Sequence, residues 1–298
     1  MYPPPVEARA GRRVLTVEDA GPPGGFPVLV HSGGGCRHLF PAAVQEARRH
    51  GLRLISYDRP AYGGSTPMPG RVIADSAADV RAIFHELGIT RAAVWGFSGG
   101  GPYALATAAL VPELVAAVCL FAPLGPYGAP GLDFLQGMDE PYREEVRIFF
   151  ANRQAAREKF RAEAAEMYQR LSTAEGWMKT WGDRAGRDAA HDQEIAEYLA
   201  VLFRDGWTHG DDGWWDDWSA FLSPWGFDLG AIEAPVRLWH GLADTRCPPG
   251  HSRWLADRIP HITAHFPEHD DHTNIEENNR STAYRWLESQ RDGYPASA

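Results

Sequence analysis

The chain has few of the residues that mark secreted, metal-binding or polyanion-binding proteins. Its 298 residues include three cysteines, Cys36, Cys119 and Cys247, far apart and odd in number. That spacing supplies neither a disulfide framework nor a cysteine metal site. Basic residues are in deficit, with Lys and Arg at 29 against Asp and Glu at 39 and a net charge of -10. An acidic surface repels phosphate backbones and anionic lipid, so nucleic acid and membranes are not expected partners. No apolar run approaches the ~20 residues that cross a bilayer. Met1-Tyr2-Pro3-Pro4-Pro5 lacks the apolar core of a secretory leader. The expectation is a cytoplasmic protein acting on a small-molecule substrate, with no cofactor, no metal and a possible homodimer. Internal repeats and low-complexity tracts are absent as well.

What the sequence does have is strand–helix alternation. Strands are predicted over Arg13–Asp19, Pro27–His31, Leu52–Tyr57, Ala92–Trp95 and Val115–Phe121, with helices over Leu39–His50, Asp75–Leu87 and Tyr103–Leu110. In the second helix Val80, Ile83, Phe84 and Leu87 share a face, and Gly88 supplies the stop. Such alternation predicts an α/β fold, a mostly parallel doubly wound sheet covered on both faces. The pattern changes near Leu124. From there to Gly230 no buried strand is predicted, and helices are expected over Glu140–Ala151, Arg153–Leu171, Asp188–Phe203 and Trp214–Leu222. Seven tryptophans lie in this stretch: Trp177, Trp181, Trp207, Trp214, Trp215, Trp218 and Trp225. Sheet grammar resumes with a strand over Val236–His240, a helix near His251–Arg258, a strand over Ile262–Phe266 and a helix over Ile275–Gln290. The expected division is a core over 1–123, a helical cap over 124–230 and the rest of the core over 231–298.

One stretch organises the chemistry: Val94-Trp95-Gly96-Phe97-Ser98-Gly99-Gly100-Gly101. It reads G-x-S-x-G, after an apolar strand and before an Ala-rich helix. Gly96 and Gly100 let strand and helix approach closely, which holds Ser98 on a sharp exposed corner. A serine needs a base, and the base an orienting carboxylate. In this sheet order they belong in later loops, as Ser, then Asp, then His. Asp244 follows the strand Val236–His240, and His272 follows the strand Ile262–Phe266. Taken singly, Ser98 is a serine on a glycine-rich turn, Asp244 a turn aspartate and His272 a loop histidine. Their order and their loops point to catalysis, with Asp244 holding the imidazole and His272 taking the Ser98 proton. A tetrahedral oxyanion needs backbone donors. Gly99 is one candidate, and Gly33 in His31-Ser32-Gly33-Gly34-Gly35 is favoured over Gly34 as the second.

These motifs resemble the α/β-hydrolase superfamily. His31-Ser32-Gly33-Gly34-Gly35 is similar to its H-G-x-P-G loop, departing at Ser32 and Gly34. Asp58-Arg59-Pro60-Ala61-Tyr62-Gly63-Gly64-Ser65 is similar to D-x-x-G-x-G-x-S, with Ala61 at the first glycine. Gly96-Phe97-Ser98-Gly99-Gly100 matches the elbow, and His240-Gly241-Leu242-Ala243-Asp244 matches H-G-x-x-D. The resemblance covers about 15–123 and 231–290, is nearest to small esterases and the proline-iminopeptidase-like branch, and does not extend to the cap. Serine at position 98 argues against the epoxide-hydrolase and dehalogenase branches, which use aspartate there. The resemblance implies a cofactor-free serine hydrolase. Where the family has Gly-His, this chain has His269-Asp270-Asp271-His272, so two histidines compete. The family's histidine lies just before the final helix, which favours His272, and an acidic pair beside the base should raise its pKa.

Other features read more plainly. Asp211-Asp212-Gly213-Trp214-Trp215-Asp216-Asp217 lacks the spaced oxygen ligands of a Ca²⁺ loop and reads as a solvated acidic face. His269 and His272 have no third metal ligand near them, and Cys36 reads as a small packed residue. The reading is hydrolysis of an ester or amide of a small, partly apolar substrate. An aminopeptidase that grips a free amine with cap carboxylates and a non-catalytic binding protein of the same fold are the rivals.

Overall fold

The protein's structure, a computed structural model, describes residues 4–181, 189–208 and 210–291. Met1–Pro3 and Asp188, the expected first residue of one cap helix, lie outside them. The strands are β1 (Val6–Ala10), β2 (Arg13–Ala20), β3 (Phe26–His31), β4 (Leu52–Tyr57), β5 (Ala92–Phe97), β6 (Val115–Phe121), β7 (Val236–Trp239) and β8 (Ile262–His265). They form one sheet ordered β1-β2-β4-β3-β5-β6-β7-β8. The β1–β2 and β2–β4 pairings are antiparallel and all the others parallel.

Around the sheet lie α1 (Pro41–Arg49), α2 (Ser76–Leu87), α3 (Gly101–Leu110), α9 (Pro249–Ala256) and α10 (Ile275–Glu288). Successive strand residues point to opposite faces and both faces are covered, so the central strands β5 and β6 are apolar throughout. Val94, Val118 and Leu120 pack on the side that carries α3 and α9. Ala93, Trp95, Cys119 and Phe121 pack on the other, against residues of α1 and α10. Helix α2 seats Val80, Ile83 and Phe84 against Leu29 and Ile55. It ends at Gly88 with φ of 65°, the left-handed cap the sequence predicts.

Between β6 and β7 run α4 (Glu140–Ala151), α5 (Arg153–Leu171), α6 (Ala174–Trp181), α7 (Ala189–Gly206) and α8 (Asp212–Phe221), with no strand among the described residues of that stretch. Phe160 of α5 is buried, its ring 4.6 Å from that of Trp214 on α8. Burying a side chain of this size contributes about 1.5–3 kcal/mol. Val146, Phe149, Phe160, Trp218 and Phe221 of these helices belong to the same apolar cluster as Val118 and Leu120 of the sheet. One core therefore ties the helical segment to the sheet.

Two elements were not anticipated. Strand β1 buries only Ala8 fully and pairs with β2 alone. Five residues with one β-branched side chain, bonded on one edge, carry little strand signal. Helix α6 contains Gly176, which lowers helix propensity in so short a run.

Candidate active site

Strand β5 ends at Phe97, and a single tight turn over Ser98–Gly100 leads into α3. Ser98 has φ of 51°, the left-handed region that side chains avoid. Such a conformation costs about 1–3 kcal/mol and persists only where neighbours enforce it. The enforcement is close backbone packing. A Cβ on Gly100 would lie 1.9 Å from the His31 carbonyl oxygen, and one on Gly96 would lie 2.7 Å from Ala104 Cβ. Strand β3, the turn and α3 thus meet where only glycine fits, and the half-buried Ser98 side chain is held clear of them.

The loops after β7 and β8 bring Asp244 and His272 to this corner. His272 Nε2 is 2.9 Å from Ser98 Oγ, and His272 Nδ1 is 2.7 Å from Asp244 Oδ2. A carboxylate only accepts, so Nδ1 carries the proton and Nε2 presents its lone pair to the serine hydroxyl. His269 is exposed and belongs to neither contact. Asp244 is buried, and its Oδ1 accepts from the amides of Arg246 and Cys247, both at 2.9 Å. Burial would raise its pKa, but hydrogen bonds from His240 and His272 and the Cys247 amide hold it well below the usual carboxylate range.

His240 is a participant that sequence reasoning missed. It is fully buried, with Nε2 2.6 Å from the Cys247 carbonyl and 3.3 Å from Asp244 Oδ2, and Nδ1 2.6 Å from Ser252 Oγ. Nε2–H therefore faces the carbonyl and the carboxylate while the Ser252 hydroxyl donates to Nδ1. Its place as the histidine of H-G-x-x-D was the available signal. The acidic pair before His272 is engaged elsewhere. Asp270 accepts from Asn278 at 2.7 Å and Asn279 at 2.9 Å, while Asp271 accepts from the amides of Thr273 and Asn274 at the start of α10.

Gly33 and Gly99 both border Ser98. A Cβ on Gly33 would sit 3.2 Å from Ser98 Cβ, and one on Gly99 would sit 3.3 Å from the Gly33 carbonyl oxygen. Both line a cavity of about 540 Å³ together with Ser98 and His272. Its other walls come partly from the sheet and the helices on it, among them Phe40, Trp95 and Arg280, and partly from the helical segment, with Tyr142, Trp177, Phe203, Trp207, Trp218 and Phe221. Among the described residues no group of three or more His, Cys, Asp or Glu side chains is arranged to hold a metal ion. No helix among them is long and apolar enough to cross a membrane. The three cysteines are buried and unpaired, and burial pushes their thiols up.

The acidic stretch at the start of α8 corrects an expectation, because part of it is buried. Asp216 and Asp217 are 7% and 1% exposed. Asp217 accepts from Arg59 and Arg71, each with a guanidinium nitrogen at 2.6 Å, and from the hydroxyls of Tyr62 at 3.0 Å and Tyr103 at 2.7 Å. Burial would raise the Asp217 pKa, but the two guanidiniums outweigh it and hold the group at about 2.

Comparison with known proteins places this geometry in context. A family model described as "alpha/beta hydrolase fold" matches residues 28–279. A dihydrolipoyllysine-residue acetyltransferase component of the acetoin cleaving system from Pseudomonas putida is 36% identical over 139 residues. That match covers 45% of this chain and only 37% of the other protein. Among solved structures, an enol-lactonase from Burkholderia xenovorans LB400 aligns with a TM-score of 0.66 at 19% identity, over 95% of this chain and 100% of that one. A bromoperoxidase from Bacillus anthracis aligns at 0.65 and 20%, over 96% and 97%. A thermophilic esterase from Thermogutta terrifontis aligns at 0.63 and 21%, over 96% and 98%. At these identities the structural likeness speaks to the fold.

Proposed function

From the premise that the chain belongs to the alpha/beta hydrolase fold family and is an enzyme of that class, we propose that it is a serine hydrolase. It cleaves a carboxylic ester or amide of a small, partly apolar substrate through an acyl-enzyme on Ser98. The observation that carries this reading is the hydrogen-bonded row Ser98 Oγ, His272, Asp244, with the serine at positive φ. His272 Nε2 takes the hydroxyl proton as Ser98 Oγ attacks the acyl carbon, and Asp244 stabilises the imidazolium. The amides of Gly33 and Gly99 receive the oxyanion, and His272 returns the proton to the leaving group. Water, deprotonated by the same imidazole, then releases the acid and frees Ser98. Residues 124–230 act as the cap, whose aromatic walls suit an apolar acyl or leaving group.

Fluorophosphonate labelling followed by peptide mapping tests the proposal. The expected result is a single adduct on Ser98 and none in Ser98→Ala. A folded protein that takes no adduct, or labels equally in Ser98→Ala, would move the assignment to a binding protein of this fold.

One observation favours the aminopeptidase as a second reading. A neighbouring cavity of about 660 Å³ shares Tyr142, Trp218 and Arg246 with the first and is lined by Asp139, Glu140, Glu145, Glu163 and Glu166. Burial and the nearby Glu163 push the Glu145 carboxyl up to about 7. An ammonium group would relieve that repulsion. Comparing kcat/KM for small acyl esters and aminoacyl arylamides separates the readings. Esters are expected to be faster, and a strong preference for Pro- or Ala-arylamides would reverse the assignment.

A further inference from the structure

Arg59 does more than neutralise Asp217. Its Nη1 donates to the Ser32 carbonyl at 2.6 Å, and its Nη2 lies 3.4 Å from the Gly33 carbonyl. On the other side its Nε and Nη2 hold Asp217 Oδ2 at 3.1 and 2.6 Å. The guanidinium also lies over the Tyr103 ring, 4.7 Å from its centre, and is essentially unexposed. It is therefore locked between α8 of the cap and the loop after β3. The Ser32–Gly33 peptide is trans, like every described peptide bond. In a planar trans peptide the C=O and the following N–H point in opposite directions. Drawing the Ser32 oxygen toward Arg59 turns the Gly33 N–H away from Arg59. Gly33 borders Ser98 and the cavity, and the Ser32 oxygen is also backed by Gly100, whose added Cβ would lie 3.0 Å from it.

We propose that Asp217 on the cap acts through Arg59 as a positioning pair that sets the Ser32–Gly33 peptide, so that the Gly33 amide is aimed at the oxyanion before substrate arrives. This rests on the serine-hydrolase reading and deepens it. Stability alone does not require the arrangement. Asp217 already has Arg71, Tyr62 and Tyr103 as partners, yet Arg59 still reaches past it to a backbone carbonyl of the oxyanion loop. A preorganised donor acts on the transition state and leaves ground-state binding nearly untouched.

The test compares the wild-type chain with Arg59→Met, which removes the grip on Ser32 while Asp217 keeps Arg71. Three quantities are read: kcat and KM on an aryl ester, the affinity of an aryl trifluoromethyl ketone, and that of an unreactive carboxamide of similar shape. The ketone adduct carries an oxyanion, and the carboxamide does not. The expected result is a kcat lower by about 10²-fold, as when one oxyanion donor is lost, with the ketone weakened in parallel. KM and the carboxamide affinity should change by less than about threefold. If Arg59→Met does not fold, Arg59→Met/Asp217→Asn removes both charges together and carries the same expectation. Unchanged kcat and ketone affinity in a folded variant overturn the proposal, and so does equal weakening of both inhibitors, which would mean simple loss of packing. Ser98→Ala is assayed alongside. If it is inactive while the Arg59 variant is normal, only the positioning role falls. If it retains activity, the serine reading falls as well.

Discussion

Replacing Asp244 by asparagine is the most discriminating single change, because every partner of its carboxylate is a donor. Oδ1 accepts two backbone amides, from Arg246 and Cys247. Oδ2 faces His272 Nδ1 at 2.7 Å and His240 Nε2 at 3.3 Å. Asparagine has one acceptor oxygen, so one side of the site must face an NH₂ group. The two backbone amides cannot turn away, whereas an imidazole can change tautomer. The oxygen should stay with the amides and the NH₂ should face His272. His272 must then accept at Nδ1 and carry its proton on Nε2, where it points at Ser98 Oγ and cannot remove the serine's proton. A triad locked in the wrong tautomer loses about 10⁴-fold in kcat. The second N–H of the asparagine then faces the His240 Nε2–H, which keeps the Cys247 carbonyl at 2.6 Å, and one buried donor left without an acceptor costs about 1–3 kcal/mol of stability. Steady-state kinetics on an activated ester and urea unfolding measure the two effects. A folded Asp244→Asn variant with kcat within tenfold of wild type would refute the reasoning, since Asp244 would then not set the His272 tautomer.

Three further outcomes are expected. His272→Ala should lose at least about 10³-fold in kcat, while His269→Ala, an exposed neighbour outside both contacts, should stay within about threefold; the reverse order would exchange their roles. Acid should weaken the fold through Asp217, where burial would raise the pKa but the two arginines outweigh it and bring it from 3.8 to about 2. A depressed folded pKa stabilises above the unfolded value and the contribution is lost as pH falls through the folded one, so about 2 kcal/mol should disappear between roughly pH 4 and 2. Denaturant unfolding at pH 5, 3 and 2 checks it, and an advantage of wild type over Arg59→Met/Asp217→Asn that does not shrink across that window would count against it. Trp207→Ala, which removes one aromatic wall of the cavity, should raise KM for an apolar ester by about tenfold, the equivalent of some 1.4 kcal/mol of lost apolar contact, with a smaller change in kcat. A KM that does not move would place the bound ester away from that wall.

What could be read from the sequence is what short-range pattern encodes. The run into Ser98, the glycines at 96 and 100 and the stop at Gly88 each express a local steric requirement, and the structure meets them with a φ of 51° at Ser98 and of 65° at Gly88. Edge strand β1 escaped because its alternation, Val6-Glu7-Ala8-Arg9-Ala10, spans only five residues and rests mainly on alanine rather than on the β-branched and aromatic residues that mark strands. The error at Asp216-Asp217 is of another kind. Counting charges along the chain made the segment look solvated, yet Trp214, Asp217, Trp218 and Phe221 fall at i, i+3, i+4 and i+7. That period alone puts Asp217 on the apolar face of α8. A carboxylate on such a face must find cations, and its partners Arg59 and Arg71 lie 158 and 146 positions away, in a loop whose charges have no local reason to be buried. Pairing across that distance leaves no mark in a window of any length. Only the misfit between one acidic residue and the stripe it interrupts betrays it, and the buried charge that this misfit locates is the one that reaches, through Arg59, to the backbone beside Ser98.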